Sequence, residues 1–88
     1  MSDSQKAAKV IETLKAAERE PAQNALPILT GLFDLIRGGP EMPLEIEEAR
    51  ANAFMAICEV AKALHRGQPA DHLWTSAIGA TERWKSLV

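Results

Sequence analysis

The sequence predicts an all-α fold, a compact bundle or orthogonal array of about four short helices, and three observations carry that expectation. Alanine is abundant, tyrosine is absent and β-branched residues are scattered, so intrinsic propensity favours helix over strand along most of the chain. Apolar residues recur at three- and four-residue intervals in four stretches. Proline, glycine and short polar residues separate those stretches. With 88 residues there is material for one core, so a single helical domain over 1–88 is expected, with helices near 3–20, 25–37, 43–66 and 70–87.

The first helix opens at Ser2-Asp3-Ser4-Gln5, where Ser2 and Gln5 have capping-box spacing. Ala7, Val10, Ile11, Leu14 and Ala17 make its apolar face, and Pro21 disfavours helix at Glu20. In the second helix, Asn24 is the expected cap and Pro27 falls in the first turn, where its missing N–H is not required. Leu29, Leu32, Phe33 and Ile36 form a stripe that Ile28 and Leu35 widen, so this most apolar helix is expected to be the most buried. Gly38-Gly39-Pro40 is its stop.

The third helix has the clearest signals. Pro43 sits at a first-turn position, Glu45, Glu47 and Glu48 lie beside the positive amino end, and Lys62, His65 and Arg66 lie beside the negative carboxyl end before Gly67. Ile46, Ala49, Ala53, Ile57, Val60 and Leu64 form one apolar stripe, and Phe54, Cys58 and Ala61 form a second, which implies neighbours on two sides. The fourth helix comes after Gln68-Pro69, with Asp71 as candidate cap, and carries Leu73, Trp74, Ala77, Ile78, Thr81, Trp84, Leu87 and Val88.

Composition narrows the function. Ten basic and twelve acidic residues give a net charge of −2, and no basic cluster has the density of a phosphate-binding patch. Nucleic acid is therefore not the default partner. The single cysteine, Cys58, suits a reducing compartment, and neither a signal peptide nor a membrane span is evident, so a cytoplasmic setting is expected.

Catalytic constellations are not expected. Cys58 and His65 lie two turns apart on one helix, roughly 10 Å along its axis, too far for a nucleophile and base. His65 and His72 have no metal-binding spacing, Gly38-Gly39-Pro40 lacks the lysine of a phosphate loop, and the glutamates of the third helix start are explained by the helix dipole. No cofactor, metal or small-molecule substrate is implied.

The remaining class is a non-enzymatic protein-interaction domain, acting on a partner protein or as a homodimer. The candidate partner-binding residues are Trp74, Ile78, Trp84, Leu87 and Val88, which bring apolar surface to the end of the last helix, and the acidic Glu41, Glu45, Glu47 and Glu48. A narrower form is a phage- or plasmid-encoded inhibitor of a host complex, of anti-CRISPR type, whose glutamates mimic nucleic-acid phosphate in a basic channel. The alternative is a dimeric DNA-binding transcriptional regulator that uses Arg83 and Lys85 on the last helix.

Overall fold

Four helices, α1 (Asp3–Glu18), α2 (Ala22–Leu32), α3 (Leu44–His65) and α4 (Asp71–Leu87), make up the fold in a computed structural model that describes residues 2–38 and 42–88. No strand occurs among the described residues.

The α1 start is the expected capping box. The Gln5 backbone N–H donates to Ser2 Oγ at 3.2 Å and the Ser2 N–H donates to Gln5 Oε1 at 2.9 Å, which satisfies two amides that a helix end leaves free. The α2 start differs from expectation. Pro21, not Asn24, is the cap residue, and Asn24 lies inside the helix with its side-chain amide donating to Glu20 at 3.4 Å. Pro27 consequently falls in the second turn, where it deletes a ladder bond that Gln23 would accept. Both residues are exposed, so water can serve that carbonyl.

The predicted end of the second helix at residue 37 is also corrected, because the regular helix stops at Leu32. The chain continues to Ile36 through turns in which the Phe33 and Leu35 N–H groups donate to Thr30 and Leu32. Gly31, a weak helix former, precedes that tightening. Gly39 and Pro40 of the predicted stop lie outside the described residues.

Pro43 is the cap of α3, one residue before the first-turn position expected of it, and its carbonyl accepts from Glu47 N–H at 3.0 Å. At the other end Gly67 adopts φ +68°, the Gln68 N–H reaches back to Ala63 at 2.8 Å and the Gly67 N–H to Leu64 at 3.2 Å. This is a Schellman ending, and it needs a left-handed residue at Gly67. In α4 the cap is Ala70, while Asp71 is the first helical residue and places its charge at the positive end.

Five residues, 66–70, join α3 to α4. They reach at most about 17 Å, half the roughly 33 Å length of α3, so α4 begins beside the end of α3 and runs back along it. α4 packs most extensively on α3 and also on α1, whereas α2 makes lighter contacts with α1 and α3. α2 is therefore the least embedded helix despite its apolar composition, because it is short and meets its neighbours over a small area. α3, as its two stripes imply, has neighbours on two sides, α4 and α2.

The buried apolar residues join in one cluster, and eight of its seventeen described members are alanines. Alanine lets helix axes approach closely, and the bulk comes from Val10, Leu14, Leu29, Ile36, Ile57, Val60, Trp74 and Trp84.

Glycine substitutions separate the left-handed Gly67 from the two open helical glycines. At Gly31 and Gly79, both helical and with nothing near an added Cβ, alanine is expected to stabilise by about 0.5–1 kcal/mol, whereas Gly67→Ala is expected to destabilise by about 1–2 kcal/mol through its left-handed backbone. Urea denaturation of the three variants measures both signs.

Candidate interaction surface

The tryptophans expected at a docking surface are in the core. Trp74 is 5% exposed and Trp84 is completely buried, so neither is an accessible anchor in this fold. Trp74, Ala77, Thr81 and Trp84 share the face of α4 turned into the molecule, against α1 and α3. The expectation of an interface role for Trp84 rests on its nearness to the end of the sequence, and burial corrects it. Thr81 is made compatible with the core by donating its hydroxyl to the Ala77 carbonyl at 2.8 Å. The Trp84 indole N–H has no acceptor among the described residues. Ile78, Leu87 and Val88 are half-buried and pack on the core cluster.

The acidic residues divide. Glu45 and Glu48 are exposed, and Glu41 lies outside the described residues. Glu47 is bound to Arg50: Arg50 Nε donates to Glu47 Oε2 at 2.9 Å and Arg50 Nη2 donates to Glu47 Oε1, a two-pronged pairing. The third prong, Arg50 Nη1, donates to the Ile36 carbonyl at 2.8 Å and ties the segment after α2 to α3. Hydrogen bonding from Arg50 holds the Glu47 carboxyl below the usual carboxylate range against the opposing effect of burial, and the same bond raises Arg50.

Gly38 closes over this pair. A Cβ there would stand 2.8 Å from both Arg50 Nε and Glu47 Oε2, closer than such atoms approach, so the backbone passes because the residue is glycine. Beside it lies an open recess of about 450 Å³ lined by Phe33, Arg37, Gly38, Arg50 and Phe54. The Phe33 and Phe54 rings meet at 5.3 Å with a 51° tilt. Both guanidinium groups of the recess are engaged, Arg50 as described and Arg37 with Asp34 at 3.3 Å on the surface. The i,i+3 spacing of Glu47 and Arg50 is visible in the sequence and identifies the pair, whereas its tie to Ile36 is not.

The accessible apolar surface is on α3. Leu44 is 73% exposed and Met55 56%, the two large apolar side chains most open to solvent among the described residues. Eleven residues separate them, three turns of helix, so they share one face. Cys58 is half-buried nearby, and His65 and His72 are exposed. Among the described residues no three histidine, cysteine or carboxylate groups are gathered for a metal, and no helix is long and apolar enough to cross a membrane. Arg83 and Lys85 are exposed on α4, with Glu82 beside them.

Comparison with protein-family models, curated proteins and solved structures finds no match to this chain.

Two measurements check the placements. Trp84→Ala is expected to cost about 3–5 kcal/mol, much of what a small domain has, and the loss reads out as a lowered urea midpoint. Because the folded-state pKa of Glu47 is depressed, its contribution is complete above the ordinary value near 4.5 and disappears as pH falls through the lowered one. The stability gap between wild type and Glu47→Gln should therefore be constant from neutral pH to about pH 5 and close in stronger acid, as followed by thermal denaturation.

Proposed function

We propose that the chain is a small, non-enzymatic protein-interaction domain of a reducing, cytoplasmic setting, and that it binds through the outer face of α3. The observation that carries this is the pair of exposed apolar side chains, Leu44 and Met55, on one face of the longest helix. A thin core gives a small domain little reason to leave large apolar groups in water, and contact with another protein removes them from it. Exposed Glu45 and Glu48, which have no ion pair among the described residues, border that face and supply orientation. An inhibitor that fills a basic channel is a narrower version, and it draws on Glu45 and Glu48, since Glu47 is neutralised by Arg50.

Photo-crosslinking in the cells that make the protein tests the surface. A photoreactive residue at Met55 or Leu44 should give adducts of discrete mass, and one at exposed Glu12 of α1 should give none. Silence at both α3 positions, with folded protein present, overturns the assignment.

A further inference from the structure

The outer face of α3 has a spacing and a charge order that specify an occupant. Leu44, Glu48, Ala51, Met55, Cys58, Lys62 and His65 succeed one another at steps of four, three, four, three, four and three residues, the seam spacing of helices that pack in pairs. Ala51 and Cys58 are half-buried and the other five are exposed, so the seam runs along the exposed side of α3, with Cys58 at the edge where the second apolar stripe begins. Its middle is uncharged at Ala51, Met55 and Cys58. Its amino-terminal half is acidic, through Glu45 and Glu48, and its carboxyl-terminal end is basic, through Lys62 and Arg66 with His65 between them, after one exposed acid, Glu59.

We propose, resting on the reading of this face as a contact surface, that its occupant is a second copy of the chain, docked antiparallel about a two-fold axis at Met55. Each residue then faces the one equally far beyond Met55 on the other copy. Glu48 meets Lys62 of the second copy, and by symmetry Lys62 meets its Glu48, so one surface satisfies itself twice. The aliphatic stem of Arg66 comes level with Leu44 beside the seam, whereas Glu45 and His65 lie on opposite flanks and form no pair. Met55 packs on itself at the axis. Lys62 already touches Glu59 of its own helix at 3.3 Å, but both groups remain exposed, and Glu59 stands across from Ala51 rather than from another acid. Antiparallel helix dipoles favour the same orientation. A parallel pair would set Glu48 against Glu48 and Lys62 against Lys62, and the charge order excludes it.

Charge exchange tests the arrangement. The wild type should show a monomer–dimer equilibrium in sedimentation between micromolar and millimolar concentration, as expected of a small interface, and should weaken with salt. Glu48→Lys and Lys62→Glu should each weaken self-association by about tenfold or more, since two attractive pairs become repulsive in each. An equimolar mixture of the two variants should recover a heterodimer, because both pairs are then opposite in sign, and neither variant alone can mimic that recovery by misfolding. A Met55→Cys variant carrying Cys58→Ser should oxidise to a disulfide-linked dimer, whereas wild-type Cys58, displaced from its symmetry mate by roughly 9 Å along the axis, should not. A wild type that stays monomeric, variants that associate as well as wild type, or a mixture that fails to recover overturns the second-copy assignment. If the wild type is monomeric while Met55 crosslinks a different protein in cells, the second-copy assignment falls and the contact surface stands.

Discussion

Close packing of α4 between α1 and α3 is the constraint on which the rest of the structure depends. Alanines at 7, 17, 49, 53, 63 and 77 bring the three helices together, and Trp74 and Trp84 occupy the volume that remains. Small residues alone would bury too little area for a chain of this size, and large ones alone would hold the helices apart. Two tryptophans on one helix supply bulk where the alanine-lined surfaces leave room. The indole N–H of Trp84 is left without an acceptor among the described residues, a polar cost accepted at the centre in return for apolar area.

α2 is held by a different device. It is short, carries an internal proline and makes the lighter contacts, so its position relies on the segment from Phe33 to Gly38. There Ile36 enters the core and its carbonyl accepts from Arg50, while Glu47 fixes the orientation of the guanidinium. Gly38 then allows the backbone to lie on the ion pair. A partly buried charge pair of this kind contributes modestly to stability, but its three directed hydrogen bonds define where the segment after α2 can sit.

The helices are legible in the sequence because each has its own periodic stripe, and the best-defined ends are those with specific chemistry: Ser2 with Gln5, and Gly67. The α2 start is misplaced by sequence because Asn24 is the stronger cap by type, whereas Pro21, with its fixed φ, already sets the extended geometry that a helix entry needs. Burial of α2 is overestimated for another reason. Apolar count measures how much a helix can bury, and the number and length of its neighbours decide how much it does. Trp84 is misassigned because its position near the end of the sequence says nothing of its position in space, where it lies on the face of α4 turned into the core. Of the candidate site, Glu45 and Glu48 are legible and exposed, Glu47 is tied to Arg50, and Leu44 and Met55 escape a reading by stripes. Their signal is a negative one: they fall outside the two apolar stripes of α3, and an apolar residue off the core stripe is the one to question.

That distinction bears on where function resides. A helix that serves only the core places its apolar side chains inward and fills its outer face with mixed charge. α3 obeys the rule inside, with Ala49, Ala53, Ile57 and Val60 buried, and departs from it outside, where Leu44 and Met55 project among charges sorted by sign along the axis. The sorting by itself is what the helix dipole favours, acids first and bases last. The dipole gives no reason for the two exposed apolar side chains, and a second copy lying antiparallel gives a reason for both. In the proposed antiparallel pair one arrangement of charge serves twice, first in stabilising the isolated helix and again in setting the direction of its neighbour.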